Sequence, residues 1–166
     1  MEGQNSVPPS PTPPSAQGSL RAPLGFHTGK VDSAGRLKLP ARYQDYLGKL
    51  ADRRLFVTEH KGLARIFTNG SWEKTLERIT DPAMKRRFAF RAEATGGEVD
   101  IDPQGRITLP QQLRKEMGLE EKAVQLRFYE DVITIYPQER YEEELNRVKQ
   151  FEASDLERLT EMGIDF

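Results

Sequence analysis

The sequence has no cysteine, which excludes disulfide staples, thiolate zinc sites and a cysteine nucleophile and accords with a reducing compartment. Its two histidines, His27 and His60, are too few for a metal centre built from imidazoles. No apolar run approaches the roughly 20 residues that span a bilayer. The longest strand-like one, Val132–Tyr136, has five residues. Glu2 stands where a secretion signal carries positive charge, and no apolar segment follows it, so a cytoplasmic protein with no membrane partner is expected. A dominant charge is missing as well, since 25 Lys and Arg face 26 Asp and Glu. Taken as a total, that balance speaks against a nucleic-acid partner.

The total conceals a split. Residues 21–97 hold 16 Lys and Arg against 8 Asp and Glu, a net of +8, whereas residues 98–166 hold 9 against 17, a net of −8. A basic first half is what a phosphate-binding face requires. The length of 166 residues suits one ordinary domain or two small units that share a core.

What the chain does contain falls into three parts. Residues 1–24 carry Pro8, Pro9, Pro11, Pro13, Pro14 and Pro23 among Ser, Gln and Gly, a composition that resists helix and sheet and predicts a disordered or polyproline-like arm. Beyond the arm there is an internal repeat. Asp32-Ser33-Ala34-Gly35-Arg36-Leu37-Lys38-Leu39-Pro40 aligns with Asp102-Pro103-Gln104-Gly105-Arg106-Ile107-Thr108-Leu109-Pro110, an offset of 70 that persists to Gly48 and Gly118. Each copy reads as strand, Asp-x-x-Gly-Arg turn, strand, short helix between Pro and Gly, then hairpin. The hairpin strands are expected near Arg54–Thr58 and Ala64–Phe67, and near Ala123–Tyr129 and Val132–Tyr136 with a turn at Glu130-Asp131.

A longer helix follows each hairpin. Ser71 is expected to cap one carrying Trp72, Leu76 and Ile79, and Pro137 to open one carrying Tyr141, Leu145, Val148 and Phe151. Asp81-Pro82 starts a further helix ending near Gly96-Gly97, and the capping-box pattern Ser154-Asp155-Leu156-Glu157 a last, weakly apolar one. The division is therefore an arm to residue 24, a first unit over 25–79, a linking helix over 80–97, a second unit over 98–150 and a C-terminal helix over 151–166. Units of about 50 residues are too small to be comfortable alone, so the expected fold is α+β and β-rich, with two pseudo-symmetric units sharing one core and helices at the flanks. Short sheets of this kind also leave edges that favour association.

The repeated turn is where chemistry is concentrated. Asp32 and Asp102 suit backbone hydrogen bonding within the turn, and Gly35 and Gly105 suit a positive φ. Arg36 and Arg106 follow, either held by those aspartates as exposed pairs or presented to phosphate or guanine, which a planar guanidinium binds in bidentate fashion.

With its two Asp-x-x-Gly-Arg motifs, the Leu-Pro and helix after each, Trp72-Glu73 and the segment from Val132 to Tyr141, the chain resembles the MraZ family of transcriptional regulators, over about Gly25 to Gln150. The resemblance implies two tandem SpoVT-AbrB-like swapped-hairpin units and assembly into a homo-oligomeric ring. It also implies binding to direct repeats in the promoter of the division and cell-wall gene cluster, often as a repressor, in association with the nucleoid. The motif arginine is implicated in DNA contact in that family, which carries over to Arg36 and, by the repeat, to Arg106. Many members have lysine just before the motif glycine, where this chain has Ala34 and Gln104, so Lys38 or Lys30 is expected to supply that charge.

Lys30, Lys38 and Arg42 lie in or beside the first motif, whereas Arg106 has Glu98, Asp100 and Asp102 near it in sequence, which makes copy two the poorer DNA contact. Lys85-Arg86-Arg87 forms a second basic cluster, and Glu142-Glu143-Glu144 is expected to face solvent or a neighbouring subunit. Catalysis is not expected: Gly25–Lys30 is one residue short of a phosphate-binding loop and lacks its Ser/Thr, and Asp32 and Asp102 have turn roles. No cofactor, metal or small-molecule substrate is implied. For His27, beside the first motif, an ordinary loop position is expected ahead of contact with a phosphate. The alternatives outside gene regulation at a promoter are an AbrB-like antitoxin, which the tandem repeat disfavours, and a scaffold that does not bind DNA.

Overall fold

The computed structural model describes residues 20–165; the expectation for the proline-rich first 19 residues lies outside them. In chain order the elements are β1 (Phe26–Lys30), β2 (Arg36–Lys38), α1 (Ala41–Gly48), β3 (Leu55–His60), β4 (Leu63–Thr68), α2 (Asn69–Glu77), α3 (Pro82–Thr95), β5 (Gly97–Val99), β6 (Arg106–Thr108), α4 (Gln111–Met117), β7 (Ala123–Tyr129), β8 (Val132–Pro137), α5 (Gln138–Lys149) and α6 (Glu152–Glu161). The fold is α+β and β-rich.

β3–β4 and β7–β8 are hairpins in which β-branched and aromatic residues flank two-residue turns. Lys61 and Gly62 in one turn, and Glu130 and Asp131 in the other, all have positive φ, the twist that matches flanking strands. Neither hairpin pairs with the first strand of its own copy. The sheet order is β1-β7-β8-β4-β3-β5, so β1 joins the second copy's hairpin and β5 joins the first copy's. His27 opposes Leu126 and Gly97 opposes Val57, the same register in each half. The strands after the two turns, β2 and β6, pair with one another as a separate antiparallel ribbon.

Strand alternation then sorts the side chains into layers. On the inner face of the six-stranded sheet, Leu55, Val57, Ala64, Ile66, Val124, Leu126, Ile133 and Ile135 are buried against Leu37 and Ile107 of the ribbon. Tyr43, Leu47 and Leu113 of the two short helices complete this core, which draws on both copies throughout. On the outer face lie α2, α3 and α5. Trp72 packs on Phe56 and Phe67 with ring centres 4.7 and 5.2 Å away, and Phe88 stacks on Trp72 at 5.8 Å. Gly96 ends α3 where a β-carbon would overlap the Val57 carbonyl, which lets the helix close onto β3.

Several helix boundaries differ from the sequence expectation. Thr68, not Ser71, caps α2: its hydroxyl accepts from Ser71 N at 3.1 Å, and Ser71 in turn donates to Thr68 O. Two cap-competent residues three apart leave the choice to the chain direction out of β4. Ile79 falls beyond the end of α2. Ser154 lies inside α6, whose N-cap position is Phe151; its hydroxyl donates to Phe151 O at 3.0 Å. Pro40 and Pro110 occupy the N-cap positions of the short helices, and of those two helices α4 ends in the left-handed region, at Gly118 with φ 58°.

Leu37 is fully buried, and its Cδ1 is one of the atoms that would crowd a β-carbon on Gly29 of β1. Leu37→Ala is expected to cost about 2–5 kcal/mol in urea unfolding, as for other buried leucines, because ribbon and sheet meet there.

Candidate nucleic-acid interface

Each Asp-x-x-Gly-Arg segment is built by its aspartate. Asp32 Oδ1 accepts from Ala34 N at 3.0 Å and Arg36 N at 2.8 Å, and Gly35 N donates to Asp32 O at 2.9 Å. Copy two repeats the pattern: Asp102 Oδ1 accepts from Gln104 N and Arg106 N, both at 2.9 Å. Gly35 and Gly105 have φ of 77° and 78°, a region costly for any residue with a β-carbon. The second carboxylate oxygen reaches the arginine. Asp32 Oδ2 accepts from Arg36 Nε at 2.8 Å, and Asp102 Oδ2 from Arg106 Nε at 2.8 Å. Only Nε is engaged; the Nη nitrogens of both arginines have no hydrogen-bond partner among the described residues. As ion pairs the two contacts are half-exposed and worth little stability. Their effect is to aim each guanidinium.

Strand register assembles the aimed groups. Arg36 opposes Thr108 and Lys38 opposes Arg106 in the ribbon, while Leu37 and Ile107 point into the core. The solvent face of the ribbon is therefore Arg36, Lys38, Thr108 and Arg106, with the two arginines in diagonal positions about 7–8 Å apart. The turns are also joined: Leu39 N donates to Gly105 O and Leu109 N to Gly35 O, both at 2.9 Å.

The remaining residues expected at the interface are distributed as follows. Lys30 is exposed at the end of β1 and Arg42 in the first turn of α1. Lys85, Arg86 and Arg87 are on α3 and Glu142 to Glu144 on α5, both across the sheet from the ribbon. His27 does not face a phosphate site: it points inward from β1, its ring edge-on to Tyr43 at 5.1 Å, because strand alternation turns it to the core. Among the described residues, no group of three or more His, Asp or Glu is placed to hold a metal ion, and no helix is long and apolar enough to cross a membrane.

Comparison with known proteins bears directly on this arrangement. A family model described as "MraZ protein, putative antitoxin-like" matches residues 92–161. A transcriptional regulator MraZ from Acidobacterium capsulatum is 36% identical over 97 residues, covering 55% of this chain and 66% of the relative. One from a Polaromonas species is 35% identical over 98 residues, covering 58% and 69%. One from Treponema denticola is 31% identical over 110 residues, covering 60% and 72%. The chain belongs to the MraZ family. It spans about two thirds of the length of these MraZ relatives.

One residue of this MraZ chain escaped the sequence reading. Arg114, from the second copy's helix α4, lies beneath the first turn, where a β-carbon on Gly35 would overlap its guanidinium. The equivalent place under Gly105 is filled by the neutral amide of Gln44. Arg114 is largely buried, pairs with Glu120 at 3.3 Å, and its Nε has no partner among the described residues. The offset of 70 relates Arg114 to Gln44, but neither is in the motif, and only the fold brings each under the other copy's turn.

Both turn aspartates are held below the ordinary carboxylate value of 3.8. The chief cause is the backbone N–H of the motif arginine; desolvation opposes it, and the hydrogen bond from the arginine side chain adds to the lowering. A depressed folded-state pKa adds stability above the unfolded value, and that stability is lost as pH falls through the lower folded one. Asp32→Asn is therefore expected to flatten the stability–pH curve below about pH 4, read by urea titration across pH 2–6. Gly35→Ala should lower stability by about 1–2 kcal/mol from the left-handed backbone alone, also read in urea.

Proposed function

We propose that this chain is a sequence-specific DNA-binding transcriptional regulator and not an enzyme. It would act as a repressor from a ring homo-oligomer on direct repeats in the promoter of the division and cell-wall gene cluster, in the cytoplasm and at the nucleoid. The observation that carries the proposal is the ribbon face, on which two aspartate-oriented arginines and Lys38 stand together on a rigid two-stranded support. A two-stranded β-ribbon fits the B-DNA major groove, about 12 Å wide, and arginine pairs there with guanine O6 and N7. The names of the relatives, all transcriptional regulators, support the same reading.

In this account Arg36 is the principal reader. Arg114 lies beneath its turn, where copy two has the neutral Gln44, so the potential at the first turn is the more positive, while Lys38 stands opposite Arg106. Arg106 contributes from the diagonal position, and Lys30 and Arg42 serve phosphates at the periphery. Asp32 and Asp102 are positioning residues, with Gly35 and Gly105 shaping the turns. The units over 25–79 and 98–150, joined by the helix of 80–97, would present one such face per chain. Repetition of that face around a ring raises effective concentration along direct repeats, so a modest single contact becomes a specific one.

The test is a salt series of binding to the chain's own upstream promoter DNA and to scrambled DNA. Arg36→Ala should lose about 1–3 kcal/mol of promoter preference, and Arg106→Ala less. Lys30→Ala should weaken both DNAs alike and reduce the salt slope by about 1. Equal binding to promoter and scrambled DNA by the unaltered protein would end the regulator reading. Full affinity in Arg36→Ala with loss in Arg106→Ala would reverse the order of the copies.

A further inference from the structure

The pseudo-symmetry leaves one position unfilled. In the first half, α3 covers the outer face of β3: Thr58 Oγ1 donates to Ala92 O at 2.7 Å, and Ala92 is buried. The matching face of β7 presents Arg127 and Tyr129 beside Phe26 of β1; α5 reaches its edge, with Tyr141 against Phe26 at 5.0 Å, but no described helix takes the place that α3 has over β3. Tyr129 is 56% exposed and Phe26 45%. The Arg127 guanidinium lies between the two rings, 4.5 Å from the centre of Tyr129 and 5.9 Å from that of Phe26. A cleft of about 810 Å³ continues from this face toward α2, with Arg65, Lys74 and Arg78 along it. Arg65 Nε is buried there with no partner among the described residues. Three acids stand on the rim: Glu59 is engaged by Arg91 and Asp131 by Tyr46, and Glu130 lies at the hairpin turn, against the four arginine and lysine side chains Arg65, Lys74, Arg78 and Arg127.

The chain also contains a helix with nothing to cover. α6 follows α5 as α3 follows α2, yet none of its residues is buried. Phe151, Leu156 and Met162 are 57%, 47% and 72% exposed, and the helix carries Glu152, Asp155, Glu157 and Glu161 against Arg158 alone. Two lengths keep α6 away from its own sheet. α5 has 12 residues where α2 has 9, which carries its end about 4.5 Å further. Only Gln150 and Phe151 then separate α5 from α6, whereas residues 78–81 separate α2 from α3.

We propose that α6 of one copy docks on the Phe26–Arg127–Tyr129 face of a second copy, taking there the place that α3 takes over β3. The complementarity is of two kinds: Leu156 and Met162 meet the open rings, and the acidic flank of α6 meets Arg127 and the basic cleft. Donor and acceptor surfaces differ, and in the head-to-tail arrangement proposed here each copy gives its helix to one neighbour and receives one from another. Such an interface closes into a ring when its rotation permits. The inference rests on the reading of the chain as a homo-oligomer and supplies that reading with its interface.

The experiment is light scattering on the full chain after size exclusion, with a donor-defective variant (Leu156→Glu with Met162→Glu) and an acceptor-defective one (Arg127→Glu with Tyr129→Ala). All four positions are on the outer side of the molecule, and thermal melts followed by circular dichroism check that each variant is folded. The unaltered chain should assemble, and each variant alone should associate at least tenfold more weakly. A mixture of the two retains one intact acceptor and one intact donor, and should yield a 1:1 dimer that grows no further. Assembly of either variant like the unaltered chain, a mixture that stays monomeric, or an unaltered chain that is itself a monomer would each overturn the proposal. Binding of the monomeric variants to a single promoter repeat is measured separately. Absence of such binding in the unaltered chain and in both variants counts against the regulator reading, whereas the scattering alone decides the interface.

Discussion

The exchange of first strands between the two copies is the constraint on which the other features depend. β1 and β5 each carry backbone donors and acceptors that their own hairpin does not satisfy, and each finds them in the other copy's hairpin. Neither half can then complete its sheet alone, and the inner faces of both hairpins roof one core. That solves the size problem of two units of about 50 residues, which bury too little surface separately. It also brings β2 and β6 side by side, since each follows a strand already committed to the opposite half. The basic ribbon is thus a by-product of the swap, and would not exist in a single copy.

Much of this was legible where the signals are local. The offset of 70, the aspartate and glycine of each turn, the proline and glycine around the short helices, and the β-branched hairpins all act over a few residues, and element order followed from them. Pairing was not legible, because alternation reads the same whichever hairpin accepts β1. The same reason hid the orientation of His27, whose inward side follows from the register of β1 on β7. For the candidate site, the motif was enough to single out Arg36, Lys38 and Arg106. That they share one face depends on ribbon register, where a slip of one residue would exchange them for Leu37 and Ile107. Arg114 had no local signal at all. The cap of α2 was misplaced by three residues because Thr68 and Ser71 are chemically equivalent there.

The charge division along the chain takes a different form in space. The halves of net +8 and −8 are interleaved, since strands of both copies alternate at the two ends of the sheet. What separates in the fold is depth: the ribbon face gathers cations on one side of the sheet, while the acidic residues of α5 lie on the other. Lys85 to Arg87 are on that second side too, so a basic cluster in sequence need not belong to the face that a basic motif defines. Orientation toward a polyanion is then set by the layer in which a residue stands and not by the half of the chain it comes from.

The two cross-bonds between the turns, Leu39 N to Gly105 O and Leu109 N to Gly35 O, have a consequence for how the chain responds to a ligand. Displacing either turn breaks a hydrogen bond whose other end is anchored beside the second, so the arginines move as one element. A ligand that fixes the first guanidinium has already met the ordering cost of its partner, and the second contact forms with less entropy to lose. Thermodynamic reciprocity makes that assistance equal in both directions. On the proposed function, two contacts made within one chain would in this way assist each other before any neighbouring copy is engaged.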